Sequence, residues 1–294
     1  MTLIIDGKVI SAQIKAELKE KTDKLISQKG IRPGLAVLLV GDNPASVSYV
    51  ASKEKACQAL GFKSVVKRVP AETREEEVLN TVHEWNIDPT IHGILVQMPL
   101  PQHIDESKVI LSVLPNKDVD GFHPENFGRL VIGLPGFVSC TPAGIMELLI
   151  RYNIQTSGKH VVVLGRSNIV GKPIANLLYQ KNPHANAIVT ICHTGADDIT
   201  YYTKQADILI AAMGVPLLIK KEHVKEGSVI IDVGINRVED KSKEKGYKLV
   251  GDVDYESVFD KVSAITPVPG GVGLMTIAML LSNTYKSAAE INLK

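Results

Sequence analysis

Tyr49 and Lys53 lie four residues apart in a stretch that reads as helix, so their side chains share one face. A phenol beside an amine in a dry site can hold the lysine partly neutral, which makes a proton donor or acceptor near neutral pH. The same spacing also serves packing with a snorkelling lysine, and the pair alone does not choose. Gln97 is polar inside the otherwise apolar run Gly93 to Met98. A buried amide needs partners, so it is either structural or presented at the strand's C-terminal end, where open α/β sheets bind ligands. Lys117-Asp-Val-Asp120-Gly-Phe-His123 brings two carboxylates into one turn. One of them can accept from the amino and ring N–H groups of a heterocycle, although an ordinary Asp-Gly turn uses the same residues.

A second kind of chemistry starts at residue 161. Val-Val-Val-Leu runs into Gly165-Arg-Ser-Asn-Ile-Val-Gly171-Lys-Pro173 and then Ile-Ala-Asn-Leu-Leu. A buried strand ending on glycine, a tight polar turn and a helix opened by Pro173 aim backbone N–H groups and a positive helix end at one point. That suits a phosphate, although Gly-x-Ser-x-x-x-Gly is not the usual dinucleotide fingerprint. The following strand, 187–193, ends Cys192-His193-Thr194 without the acid that accepts from a ribose 2′-OH. Arg166, His193 and the Thr194 hydroxyl would instead bind a 2′-phosphate, so the turn leans toward NADP, with NAD less favoured. The alternative makes Arg166 a solvated turn residue and lets Asp197 or Asp198 supply the acid.

These groups have to be positioned by a chain of 294 residues, enough for about two domains. Hydrophobic content of 45% and charged content of 22% are ordinary for a globular protein, and a net charge of +1 gives no case for nucleic acid or a membrane surface. Three scattered cysteines fit a reducing, cytoplasmic setting, and eight dispersed histidines lack metal-ligand spacing, so no metal is expected. No secretory leader or membrane span is expected either. Strand-like runs alternate with helical stretches throughout, which predicts parallel α/β units. A helix runs from Gly7 toward Gly30, a strand covers 35–40, and a helix reaches from Pro44 to Gly61. Thr73-Arg-Glu-Glu76 resembles a capping box for the next helix. Residues 115–136 lack periodicity, and Thr141-Pro142 looks like the start of a helix beyond a domain boundary. Later strands are expected at 161–165, 187–193, 207–212 and 228–233. Glu239 to Lys248 reads as a solvated loop, and Pro267-Val-Pro-Gly-Gly-Val-Gly273 as a backbone approaching a ligand.

In this order, the segments resemble the bifunctional methylenetetrahydrofolate dehydrogenase/cyclohydrolase family over nearly the whole chain. The resemblance runs through Asp6-Gly-Lys8, Pro44-Ala-Ser, Tyr49, Lys53, Gly93 to Pro101, Lys117 to His123, Gly165 to Gly171, Asp232-Val-Gly-Ile-Asn236 and Pro267 to Gly273. It implies two α/β domains flanking a cleft, the second a Rossmann-like NAD(P)-binding domain. Residues 1–140, completed by the C-terminal helix 275–294, would be the catalytic folate-binding domain, and 141–274 the NADP-binding domain.

The implied activity oxidises 5,10-methylenetetrahydrofolate with NADP and hydrolyses the 5,10-methenyl product to 10-formyltetrahydrofolate, within one-carbon metabolism and purine biosynthesis. By resemblance Lys53 is the main acid/base group, tuned by Gln97. Tyr49 orients folate and Asp120 holds the pterin edge, with Val96, Met98, Pro269, Gly270, Gly271, Val272 and Gly273 also contacting substrate. Gly165, Arg166, Ser167, His193, Thr194 and Ile235 would contact NADP. A homodimer through the nucleotide domain is also implied.

The chain departs from the family pattern at Leu274 and Ser139, where proline is usual, and at Thr194-Gly195-Ala196, where Ser-x-Thr is usual. Two other readings remain. A short-chain dehydrogenase uses a Tyr-x-x-x-Lys pair, but there the glycine turn precedes the pair, the reverse of the order here. A catalytically silent NADP- or folate-binding protein is disfavoured by Lys53, Gln97 and Asp120 and kept open by Leu274.

Overall fold

The structure, a computed structural model, describes residues 1–243 and 246–290. Its strands are β1 (Leu3–Ile4), β2 (Gly34–Val40), β3 (Lys63–Val69), β4 (Gly93–Val96), β5 (His160–Leu164), β6 (Ile188–Cys192), β7 (Ile208–Ala211), β8 (Val229–Asp232), β9 (Asn236–Glu239), β10 (Tyr247–Val250) and β11 (Ala264–Ile265). The α-helices are α1 (Gly7–Lys29), α2 (Pro44–Leu60), α3 (Glu75–Ile87), α4 (Glu106–Ser112), α5 (Pro124–Val131), α6 (Cys140–Arg151), α7 (Gly171–Leu178), α8 (Ile199–Thr203), α9 (Tyr255–Val258) and α10 (Val272–Glu290). Contacts divide the chain into two units, Gln13–Cys140 with Ile277–Lys294 and Met1–Ala12 with Thr141–Thr276. The helix expected over 275–294 is α10, and residues 291–294 lie outside the described residues.

The first unit is built on the parallel sheet β3-β2-β4. All seven residues of β2 are buried, as a central parallel strand covered on both faces requires. Ala36, Leu38 and Val40 pack with Val78, Val82 and Trp85 of α3 and with Ile94 and Val96 of β4. Asn43 caps α2 by accepting from the Ala45 and Ser46 amides, and Gly61 ends that helix in the left-handed conformation. The expected capping box does not form: α3 begins after Arg74 without a side-chain cap. Glu75, Glu76 and Glu77 in its first turn complement the helix dipole instead. Within the aperiodic 115–136 passage, Pro124 at the helix start and a His123 cap produce α5.

The second unit has a parallel six-stranded sheet in the order β1-β11-β8-β7-β5-β6. Strand β5 is flanked by β6 on one side and β7 on the other, so the chain reverses direction across the sheet at the C-terminal end of β5. That is where doubly wound sheets bind ligands. By contacts, residues 1–12 group with this unit, Leu3 and Ile4 pairing with Ala264 and Ile265. Two sequence expectations need correcting here. Pro173 is the third residue of α7, not the first, a place where its missing N–H is still not required. Helix α6 starts at Cys140, one residue ahead of Thr141. The span 239–248 is the tip of an antiparallel hairpin, β9 with β10; its residues 244–245 lie outside the described residues.

Candidate functional site

Within the first unit, Lys53 projects from the buried face of α2 and its Nζ donates to Gln97 Oε1 at 2.9 Å. Gln97 directly follows β4, and its backbone N–H donates to the Leu38 carbonyl at 2.9 Å, which fixes where the side chain leaves the sheet. Its Nε2 donates to the Met98 carbonyl at 2.7 Å, so the amide oxygen has to face the lysine. An amide oxygen accepts from either an ammonium or a neutral amine, so Lys53 keeps this partner in both protonation states. Burial lowers the Lys53 pKa below the ordinary lysine value, opposed by the negative charge of Asp120 and by Cys140.

The two carboxylates of the 117–123 turn are not equivalent. Asp118 accepts from the backbone N–H groups of Gly121 and Phe122, each at 3.2 Å, and of His123 at 2.9 Å, and from Asn126 Nδ2 at 2.9 Å. It shapes the turn. Asp120 stands instead in the field of Lys53, with the Cys140 thiol beside it. Burial raises its pKa, Lys53 opposes the rise, and Asp118 adds to it. Val96, Met98, Asp120 and Phe122 line one small pocket. Tyr49, 42% exposed, lies on the same helix as Lys53, but the lysine's hydrogen bond goes to Gln97 rather than to the phenol.

Several supporting residues carried no signal in the sequence. The Cys140 thiol donates to the Val119 carbonyl at 3.3 Å, and Asn283 Nδ2 donates to the same carbonyl at 2.9 Å. These contacts seat the segment that carries Asp120. Asn126 lies inside α5, which the sequence left aperiodic.

In the second unit, Gly165 has φ 115°, and a Cβ there would overlap the Ala212 carbonyl oxygen. A Cβ on Gly171 would overlap the Gly165 carbonyl, so the turn closes only with glycine at both ends. Ser167 Oγ accepts from the amides of Val170 at 3.2 Å and Gly171 at 3.3 Å and ties the turn to the start of α7. Gly195 N–H donates to His193 Nδ1 at 3.0 Å, which puts the proton of a neutral ring on Nε2. Arg166 Nη1 lies 3.2 Å from that Nε2. Two donors facing each other call for an acceptor shared between them, and an anionic oxygen fits. Asp198, a candidate acid, is engaged as the cap of α8 through the Thr200 amide at 2.8 Å. The cradle and its donors therefore suit a dinucleotide with a 2′-phosphate. Thr194 is exposed beside His193, and Ile235 is 46% exposed. Pro269 to Gly273 also belong to this unit, where Lys8 N–H donates to the Gly270 carbonyl at 3.2 Å.

Comparison with known proteins identifies two family domains in the chain. Residues 5–120 match the family model of the tetrahydrofolate dehydrogenase/cyclohydrolase catalytic domain, and 139–292 match that of its NAD(P)-binding domain. The bifunctional protein FolD of Chlorobium phaeovibrioides is 58% identical over 287 residues, 97% of each chain. The crystal structure of the bifunctional methylenetetrahydrofolate dehydrogenase/cyclohydrolase from Campylobacter jejuni superposes with a TM-score of 0.93 at 51% identity, covering 99% of this chain and 100% of that one. A Trypanosoma brucei methylenetetrahydrofolate dehydrogenase-cyclohydrolase, solved with NADP and an inhibitor, gives 0.93 at 39% identity, covering 99% and 98%.

Proposed function

This chain belongs to the tetrahydrofolate dehydrogenase/cyclohydrolase family, and on that premise we propose that Lys53, Gln97 and Asp120 carry its folate chemistry. The protein is a bifunctional enzyme. It oxidises 5,10-methylenetetrahydrofolate to 5,10-methenyltetrahydrofolate with NADP, then hydrolyses that cation to 10-formyltetrahydrofolate. NADP, when bound, supplies the hydride acceptor. The observation that carries the assignment is the Lys53–Gln97 hydrogen bond of 2.9 Å beside Asp120. An ammonium would repel the cationic methenyl bridge, whereas an amine whose pKa burial has lowered can take a proton from the attacking water. The new C–O bond forms at the bridging carbon and the C–N5 bond breaks. The formyl group stays on N10, Lys53 returns its proton to N5, and the hydrated formyl carbon releases one proton to solvent.

Gln97 orients the amine. Asp120 accepts from the pterin edge, Tyr49 covers the folate, and Val96 and Met98 line its seat; Pro269, Gly270, Gly271, Val272 and Gly273 form the further substrate loop. Gly165, Arg166, Ser167, His193, Thr194 and Ile235 hold NADP, with Arg166 and His193 on the 2′-phosphate. In functional terms, the folate-binding catalytic domain is residues 1–140 completed by the C-terminal helix, and the NADP-binding domain is 141–274; the family model of the catalytic domain, which matches residues 5–120, supports the first.

Lys53→Met separates the two halves of this assignment. Hydrolysis of the methenyl compound falls about a thousandfold while NADP titration is unchanged; hydrolysis at the parent rate would refute the role given to Lys53.

Strand β6 lies at the sheet edge with Ile188 67% and Ile191 43% exposed, a surface that supports a homodimer formed along this strand. Sedimentation of Ile188→Lys as a monomer, against a parent dimer, checks it. Among the described residues no helix is long and apolar enough to cross a membrane. Cys57, Cys140 and Cys192, all free and buried, support a cytoplasmic setting, in which the 10-formyl product would supply purine biosynthesis.

A further inference from the structure

Two buried carboxylates of the second unit lie outside everything assigned so far. Asp232 ends β8, and Asp252 follows β10. Asp232 Oδ1 accepts from the backbone N–H of Gly234 at 2.9 Å and of Asp252 at 3.0 Å, and Oδ2 accepts from Val253 N–H at 3.0 Å. Asp252 Oδ2 accepts from the amides of Met213 at 2.6 Å and Gly214 at 2.8 Å, and its Oδ1 from Asn236 Nδ2 at 2.9 Å. Burial pushes Asp232 up to about 7 against the pull of its three backbone donors, so two acidic side chains can sit together. The packing leaves no spare room: a Cβ on Gly234 would overlap Asp252, and one on Gly251 would overlap Asp232.

The donors belong to the backbone that surrounds the dinucleotide residues. Gly234 and Asn236 are the two neighbours of Ile235, so one carboxylate holds each side of that exposed side chain. Met213 and Gly214 follow Ala212, whose carbonyl abuts Gly165. The Asp252 side chain thus joins the glycine turn's neighbour to the Ile235 loop. A Cβ on Gly273 would lie 2.8 Å from Ile235 Cδ1, so the same loop also sets the surface met by the Pro269–Gly273 segment.

We propose that Asp252, supported by Asp232, is a positioning residue that holds the 212–214 and 234–236 loops in register and so sets the affinity for NADP. The inference rests on the reading that Ile235 contacts NADP. Asp252 is fully buried, so its effect on NADP runs through the loops it holds. Its effect is confined to the dinucleotide side, and hydrolysis of the methenyl compound, which consumes no NADP, serves as the internal control.

The test measures NADP binding by titration without folate, NADP KM in the dehydrogenase assay, and methenyl hydrolysis without NADP. Asp252→Ala leaves three donors without their acceptor and raises both the NADP Kd and KM about tenfold, with hydrolysis within about twofold of the parent. Asp252→Asn restores affinity to within about threefold, because its oxygen serves the two amides while the Asn236 side chain turns its own oxygen to the new NH2 group. Asn236→Ala, which removes one arm only, gives a smaller rise and serves if Asp252→Ala does not fold. Unchanged NADP affinity in both Asp252→Ala and Asn236→Ala overturns the proposal. So does a proportional loss of binding and hydrolysis, or an Asp252→Asn variant no better than the alanine. Ile235→Ala tests the underlying reading separately: if it binds NADP like the parent, that reading fails whatever Asp252 does.

Discussion

Each unit has a pair of acidic residues close together in its fold, and the two pairs are used differently. In the lysine-bearing unit, Asp118 is filled by three backbone N–H groups and one amide, whereas Asp120 faces an amine and a thiol. In the nucleotide unit both Asp232 and Asp252 are filled by backbone and amide donors. A carboxylate saturated by backbone donors fixes the path of the chain, because removing it leaves several N–H groups short of an acceptor at once. One left beside a titratable amine keeps the capacity to bind a ligand or to change charge. Residue type does not separate these uses. The donors around each oxygen do.

The contrast is most directly broken inside the first pair. Asp118→Asn presents an NH2 group to donors that now lack an acceptor, and it lowers stability by about 3 kcal/mol in denaturant unfolding. Asp120→Asn, by contrast, leaves the melting transition near that of the parent and costs folate turnover. Equal stability losses for the two would erase the distinction.

A smaller effect is expected where the second unit meets its ligand through exposed side chains rather than buried carboxylates. Arg166→Ala weakens NADP by about tenfold and leaves NAD nearly unchanged, the cost of one charge-assisted contact. A parallel loss for both dinucleotides would remove the 2′-phosphate from the role given to Arg166.

The smallest effect is a displacement in pH. Burial lowers the Lys53 pKa and the charge of Asp120 partly restores it. Base activity therefore rises with pH through that lowered value. Asp120→Asn removes the restoring charge, so the rising limb of the hydrolysis profile moves to lower pH. A limb that stays put, or moves up, would uncouple the two groups.

Much of this arrangement is legible in the residues. Gly165 and Gly171 announce their turn because backbone closure allows nothing larger there, and Gln97 stands out as an amide within an apolar run. The parallel α/β organisation follows from runs such as Gly34–Val40, which is hydrophobic on both faces. What stays hidden depends on partners far along the chain. Leu3 and Ile4 form too short a strand to signal its sheet, and their partners are Ala264 and Ile265. Nothing in the sequence singles out Asp252, on which Met213, Gly214 and Asn236 converge. Helix α5 lacks a clean period because Asn126 is turned inward to serve Asp118 and the Pro115 carbonyl.

The pairing of Leu3 with Ala264 also bears on synthesis at the ribosome. A chain that emerges in order usually lets its leading part fold while the rest is still being made. Here the edge of the nucleotide sheet waits for β11, and the lysine-bearing unit takes in the chain from Ile277 onward. Neither unit is complete until the residues that follow β11 have been made. The nascent protein therefore carries both of its cores open throughout the synthesis of the residues between, and that is when chaperones and proteases meet them.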